Sequence, residues 1–286
     1  LGSAEQFKQK FIQPIEGYND KERQSQLRRL IAPFLLRRTK GEVIKELPDK
    51  TDIQLPVELS SNEITMYEMY RKMVEEMVRS DKSLNVSTLA EITKLRQMAC
   101  SCSLVDKSWK VPSSKLLAFI DLAESLNDSG NRALVFSQFT SFLEEVRYAM
   151  DNAQLPYLYL DGSTPMAKRE QLVKDFQSGR CPFFLISLKA GGLGLNLTGA
   201  NYVVHLDPWW NPAIEQQATD RAYRIGQRKN VHVYKMVTEG TMEESIQDII
   251  DGKLQLAGAV IGQGEGWITE LSPEQLAQLM SYRGKE

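Results

Sequence analysis

Two stretches of this sequence carry residue types suited to handling phosphate. The first, Ser187-Leu188-Lys189-Ala190-Gly191-Gly192-Leu193-Gly194-Leu195-Asn196-Leu197, places three glycines within four positions close to a lysine. Glycines there let backbone N–H groups approach a ligand closely, and Lys189 adds a positive charge. A strand-to-helix turn that uses its glycines for packing fits the same residues. The second stretch, Gln216-Gln217-Ala218-Thr219-Asp220-Arg221-Ala222-Tyr223-Arg224-Ile225-Gly226-Gln227, sets Arg221 and Arg224 three apart on an expected helix ending near Gly226. That spacing points both guanidinium groups along one helix face, with Gln217 and Asp220 placed to orient them. Two such arginines beside a sheet edge are what stabilising a transferring phosphoryl group requires. A bare R-x-x-R is more often a helix salt-bridge pair, here with Asp220 or Glu215.

Elements to position these residues are legible around them. From Lys115 onward apolar runs alternate with helical stretches, which predicts a parallel sheet covered by helices. The expected strands are Ala133 to Phe136, Tyr157 to Leu160, Phe183 to Ile186, Tyr202 to Leu206 and Val231 to Val237. The expected helices lie near Phe142 to Met150, Lys168 to Phe176, Ala213 to Tyr223 and Met242 to Leu256. In open parallel sheets ligands bind at the carboxyl ends of strands, so the loops after Phe136, Leu160, Ile186 and Leu206 are where chemistry is expected. Residues up to about 112 read as helical apart from Lys50 to Glu58. Ile64, Tyr67, Tyr70, Met73, Val74 and Met77 form one helical apolar face, and Leu89, Ile92, Leu95 and Met98 form another behind the capping candidates Ser87-Thr88. Beyond a glycine-rich tether, Gly258 to Gly266, Ser272-Pro273-Glu274 opens a short helix expected at the surface.

The composition of the 286 residues, 42% hydrophobic and 25% charged, is that of an ordered globular chain, with no apolar run long enough to span a bilayer. The N-terminus has no signal-peptide character, and an intracellular location is expected: cytoplasm or nucleoid in a bacterium, nucleus in a eukaryote. Cys100, Cys102 and Cys181 are too few for a disulfide framework and read as reduced thiols; with His205 and His232 in apparent strands, no metal site is expected. A net charge of −2 neither supports nor excludes a nucleic-acid partner.

With those residues in place, the chain resembles a known family. Arg221 to Gln227 with Gln217-Ala218 is similar to motif VI of the SWI/SNF-type DNA translocases of helicase superfamily 2, and Lys189 to Asn196 resembles their motif V. Their separation and the intervening Asp207-Pro208-Trp209-Trp210-Asn211-Pro212 agree as well. Val135-Phe136-Ser137-Gln138-Phe139 looks like motif IV, and Tyr159-Leu160-Asp161-Gly162-Ser163-Thr164 with Arg169 resembles motif IVa. Phe34-Leu35-Leu36-Arg37-Arg38-Thr39-Lys40 with Leu47-Pro48 and Lys50 is similar to the segment joining the family's two lobes. Tyr223 and Asn201 depart from the pattern, standing where His and Asp are common.

The resemblance implies an α/β, RecA-like (P-loop NTPase-type) lobe with an N-terminal helical extension. The implied divisions are a connecting segment 1–59, a helical insertion 60–112, the lobe 113–256, and a tether with a short helix 257–286. It implies that Arg221 and Arg224 reach ATP held in a cleft against a first lobe, with Gln217, Asp220, Gly194 and Asn196 coupling nucleotide to DNA. It implies that Ser137, Gln138, Gly162, Ser163, Lys189, Gly191 and Trp209 contact or support the backbone of double-stranded DNA without sequence choice, and that Arg37, Arg38 and Lys40 set lobe orientation or approach DNA. The expected partners are therefore the first lobe and duplex DNA, with no membrane.

No G-x-x-x-x-G-K-[ST] occurs, since Gly252-Lys253 precedes Leu254 and Gly284-Lys285 precedes Glu286; no D-E-x-H run occurs either. ATP and Mg2+ are thus expected to be held mainly by the first lobe, with no cofactor bound tightly here. This chain alone is expected to be inactive. An RNA helicase lobe and a non-enzymatic interaction scaffold are the alternatives; the R-I-G-Q ending and the Leu35 to Thr39 segment favour the DNA translocase.

Overall fold

Uninterrupted runs of branched and aromatic residues need cover on both faces, which a parallel sheet between helical layers supplies. The computed structural model describes residues 4–17, 20–31, 47–80, 86–188, 190, 195–252 and 271–281. Its strands are β1 (Lys50–Val57), β2 (Ala133–Ser137), β3 (Tyr157–Leu160), β4 (Phe183–Ser187), β5 (Tyr202–His205) and β6 (Val231–Thr238). They form one parallel sheet in the order β1-β6-β5-β2-β4-β3. The central strands β2 and β4 are buried throughout, as their sequences require. At one edge β1, which contains Pro56, pairs with β6 and is largely exposed; proline is tolerated there because an edge strand leaves part of its backbone unpaired. The 1–59 segment read as a connection therefore supplies a strand of the sheet.

The helices are α1 (Ala4–Phe7), α2 (Lys21–Ile31), α3 (Ser61–Ser80), α4 (Val86–Cys100), α5 (Ser114–Asp128), α6 (Thr140–Asn152), α7 (Met166–Gln177), α8 (Pro212–Thr219), α9 (Met242–Ile250) and α10 (Pro273–Ser281). Period-two alternation divides β2 between two cores. Ala133 and Val135 pack with Phe119 and Ala123 of α5 and Phe142, Leu143 and Val146 of α6, whereas Leu134 and Phe136 pack with Phe176 of α7 and Ala218 of α8.

A third core joins α3 and α4 to α9 and α10 through Tyr67, Val74, Ile92, Leu95, Ile246 and Leu279. The Tyr67 hydroxyl also accepts the Met242 N–H at 2.8 Å. Two expectations change here. Helix α4 starts at Val86, so Ser87 and Thr88 lie inside its first turn rather than before it. Helix α10 buries Leu276, Ala277, Leu279 and Met280, so it is part of this core and not a surface helix; its periodicity gives an apolar face whose cover comes from residues some two hundred positions earlier.

Residues 4–17 and 20–31 belong to a separate compact unit. In it α1 runs into a π-helical stretch, Lys8–Gly17, and Phe11 is buried with its ring centroid 5.5 Å from that of Phe7. Asp20 Oδ1 accepts from the N–H groups of Glu22 and Arg23 at 3.0 Å and starts α2. Arg37, Arg38 and Lys40 lie outside the described residues. Among the described residues no helix is long and apolar enough to cross a membrane.

Candidate functional site

The chain passes from β4 on one side of β2 to β5 on the other, the kind of crossing at which ligands bind beyond the carboxyl ends of the strands in open parallel sheets. The backbone continues the sheet pairing into the loops there: Leu188 N–H donates to Ser137 O and Leu206 N–H to Phe136 O, both at 2.9 Å. Ser137 is fully buried; its hydroxyl donates to Asp207 Oδ1 and accepts the Phe139 N–H at 3.0 Å. Asp207 Oδ2 also accepts the Gln138 N–H at 3.2 Å. Ser137 therefore shapes the β2 loop from inside and offers no group to an external ligand, leaving only the supporting part of its expected role. Gln138 is half-buried, and its Nε2 is buried with no hydrogen-bond partner among the described residues.

In the β3 loop Asp161 Oδ1 accepts from Ser163 N–H at 2.9 Å, Ser163 Oγ at 2.7 Å and Thr164 Oγ1 at 3.1 Å. The Ser163 hydroxyl bond leads the interactions that hold the Asp161 carboxyl below its ordinary range. Arg169 Nε donates to Thr164 O at 2.6 Å and its NH2 to Gly162 O at 3.0 Å. With its carbonyls and carboxylate tied down, the loop presents exposed Gly162 and Ser163 to solvent. Arg169 and Lys174 also line, with Leu195 and Asn196, a cavity of about 300 Å³ that brings the β3 loop's helix beside the end of the glycine-rich loop. Lys189, Gly191 and Gly194 lie outside the described residues; Asn196 is exposed and its carbonyl accepts from Gln177 Nε2 at 3.1 Å.

The two arginines are placed differently from the expectation of one shared helix face. Helix α8 ends at Thr219, and residues 220–227 form successive turns. The bonding tightens there, with Arg221 N–H donating to Ala218 O at 3.2 Å and Ala222 N–H to Thr219 O at 3.0 Å, and the Arg221 carbonyl accepts the Leu197 N–H at 3.0 Å, outside the helix. Arg221 is only 5% exposed and its Nε and NH1 have no hydrogen-bond partner among the described residues, whereas Arg224 is exposed. Burial, and then the charge of Arg224, lower the Arg221 pKa from its ordinary value. Gln217 is exposed, and Asp220 accepts from Gln216 Nε2 at 2.8 Å. Glu215, the other candidate salt-bridge partner, accepts the Trp209 N–H at 2.7 Å and pairs with Lys235 at 2.8 Å.

Gln227 holds this turn in place. Its Nε2 donates to Thr198 O at 3.1 Å and Ala200 O at 2.7 Å, and its Oε1 accepts from the N–H groups of Arg228 and Lys229 at 2.9 Å. Gly226 precedes it at φ +100°, a conformation side chains disfavour. The end of the glycine-rich loop and the arginine turn are thereby fastened together.

Sequence reading missed a buried polar layer behind these loops. Lys115 of α5 pairs with Glu243 of α9, both with essentially no exposure, and Glu243 Oε2 also accepts the Thr238 N–H at 3.0 Å. Burial opposes the charge on Lys115, but Glu243 outweighs it and raises the lysine above its ordinary range. Nearby Arg96 of α4 is 3% exposed; burial lowers it to about 10 against the opposing charge of Asp207. Asp207 is itself raised by burial, an effect opposed by the Ser137 hydroxyl, Lys115 and Arg96. No local spacing marks these residues.

His205, at the end of β5, is buried with Nε2 3.0 Å from Thr219 Oγ1, and its ring stacks on Phe136. Burial depresses its pKa from 6.5 to about 4, so the neutral form is favoured on folding. A depressed histidine contributes stability that is present above the unfolded value and lost as pH falls toward the folded one. Urea melts should therefore show wild type losing about 3 kcal/mol relative to His205→Gln between pH 6.5 and 4. A difference independent of pH would show that His205 titrates normally.

Comparison with known proteins accords with this geometry. The family model "Helicase conserved C-terminal domain" matches residues 114–226, and "SNF2-related domain" matches residues 1–104. YwqA of Bacillus subtilis, which bears the name of an ATP-dependent helicase/translocase, is 38% identical over 98% of this chain and 32% of its own length. The human SWI/SNF-related matrix-associated actin-dependent regulator of chromatin subfamily A member 1 is 33% identical over 90% of this chain and 26% of its own. The chain thus spans about a third or less of these relatives. The Sulfolobus solfataricus SWI2/SNF2 ATPase core in complex with dsDNA has a TM-score of 0.68 at 32% identity, covering 98% of this chain and 60% of that one. The C-terminal domain of the Sulfolobus ATPase has a TM-score of 0.66 at 28% identity, covering 81% of this chain and 98% of that domain.

Proposed function

Because this chain belongs to the SNF2-related family of helicases and has its RecA-like C-terminal lobe, we propose that it is the second motor lobe of an ATP-driven double-stranded DNA translocase. Its arginines complete a nucleotide site held mainly by a first lobe. The observation that carries this reading is the buried Arg221 guanidinium, whose Nε and NH1 have no hydrogen-bond partner among the described residues, on the turn fastened to the end of the glycine-rich loop. An unpaired buried cation is costly, and arriving phosphate oxygens would satisfy it bidentately. Exposed Arg224, on the same fastened turn, adds a second charge as it builds on the leaving phosphates. Gln217 and Asp220 on the preceding turn, with Asn196 and Gly194 from the glycine-rich loop, couple this event to the DNA side.

DNA backbone is gripped by Gln138, Gly162, Ser163, Lys189, Gly191 and Trp209, with Ser137 holding the β2 loop from beneath. Arg37, Arg38 and Lys40 orient the two lobes. Mg2+ accompanies ATP and is assigned no residue of this chain. Its place is with the ATP on the first lobe.

Affinity for duplex DNA, duplex RNA and single strands at two salt concentrations tests the grip. Duplex DNA is expected to bind best, with affinity falling as salt rises, because bound phosphates release counterions. Lys189→Ala should weaken all duplex sequences alike and reduce the log–log salt slope by about 0.9, one phosphate contact. Preference for duplex RNA would favour an RNA helicase lobe, absence of binding a scaffold, and an unchanged slope would remove Lys189 from the backbone contact.

A further inference from the structure

We propose that Arg96 is a positioning residue that makes the loops after β2 and β5 one DNA-facing surface and ties that surface to the helical core of α3, α4, α9 and α10. The assignment rests on reading those loops as DNA contacts. From α4 the Arg96 side chain reaches residues of both loops. Its Cζ lies 3.9 Å from the Trp210 ring centroid and 5.6 Å from that of Phe139, and its NH2 donates to Pro208 O at 3.1 Å. Between these contacts Asp207 of the β5 loop accepts from the Ser137 hydroxyl and the Gln138 N–H of the β2 loop. One guanidinium thus stacks on the β5 loop, hydrogen-bonds its backbone, meets the β2 loop through Phe139 and opposes the charge of the carboxylate that joins them.

Stability alone does not explain the choice of residue. Burying a cation and a carboxylate is expensive, and apolar side chains of equal volume often serve a core as well or better. What an arginine adds is direction. Its plane fixes the Trp210 ring while its N–H groups fix a carbonyl, and neither an apolar side chain nor a lysine does both. The residues held in this way flank Gln138 and Trp209, whose own N–H groups are already bonded to Asp207 and Glu215. The backbone of both loops is therefore set from behind, leaving their outer sides for phosphate.

The test uses the full-length, two-lobe protein and reads two quantities: the duplex concentration giving half-maximal stimulation of ATP turnover, and turnover at saturating duplex. Arg96→Met should raise the half-maximal concentration about ten- to a hundredfold, the effect of a small misplacement remote from the chemistry. Turnover at saturating duplex should stay within about twofold of wild type, since only binding geometry has changed. Arg96→Lys keeps the charge opposite Asp207 but loses the planar stack, and should shift the midpoint in the same direction by less. Trp210→Leu should reproduce the Met shift, and the Arg96→Met/Trp210→Leu double variant should be no worse than either single one. If Arg96→Met fails to fold, Arg96→Lys and Trp210→Leu carry the test. Lowered melting temperature with an unmoved midpoint in the folded variants would overturn the proposal, as would additive shifts. Wild-type turnover that duplex DNA does not raise would sink the reading of the loops, and this inference with it; stimulated wild type with unmoved variants would sink this inference alone.

Discussion

Replacing Arg221 or Arg224 with alanine in the two-lobe protein is expected to lower ATP turnover by about 10³- to 10⁵-fold, the range of an arginine finger. Duplex affinity should remain within a few-fold of wild type, because the loss concerns charge that develops in the transition state. Lysine should restore little, since a point charge does not reproduce the planar fork. Burial of Arg221 adds a prediction about stability. An arginine paired in the fold would cost stability when removed. Arg221 is buried with Nε and NH1 unpartnered among the described residues, so Arg221→Ala should leave the melting temperature unchanged or raise it. Turnover per folded molecule and melting temperature, measured on each variant, decide the matter: wild-type turnover with lowered stability for both would sink the finger assignment. The present chain alone, lacking the phosphate cradle, should show no measurable ATPase.

The second large effect concerns the fold. Lys115→Met should destabilise the protein by about 3–5 kcal/mol, because it leaves Glu243 charged and uncompensated in a dry interior. Combining it with Glu243→Gln should recover much of that loss, since the remaining amide can still accept from Thr238 N–H. The raised Lys115 pKa gives the sign of the pH dependence. This contribution is complete below the unfolded value near 10.5 and is lost only as pH rises through the folded value, so it should persist across the neutral range. Equal destabilisation by single and double variants in urea melts would show that packing, not charge, holds the pair.

Much of the architecture was determined locally. The five apolar runs after Lys115 all became strands, because runs rich in branched and aromatic residues have few other ways to be covered, and Lys50 to Glu58, where Ile53, Leu55 and Val57 alternate with polar residues, became the edge strand β1. The family was legible for a related reason: glycines, arginines and tryptophans at fixed spacing in consecutive loops reflect backbone demands that each loop makes by itself. Gly226 shows this directly, since its positive φ is a local requirement.

What only the tertiary structure decided lies between residues far apart in sequence. Helical periodicity predicted that Arg221 and Arg224 share a face; the helix instead gives way to turns after Thr219, where Leu197, more than twenty residues earlier, bonds the Arg221 carbonyl. Ser137 has the type and place of a phosphate contact, yet Asp207, seventy residues on, bonds it inside the protein. Nothing within a few residues of Arg96 or Lys115 in the sequence shows that Asp207 and Glu243 await them. Strand and turn formation follow from the chain's own periodicity and backbone preferences, whereas the burial of a charge depends on which segments fold over it.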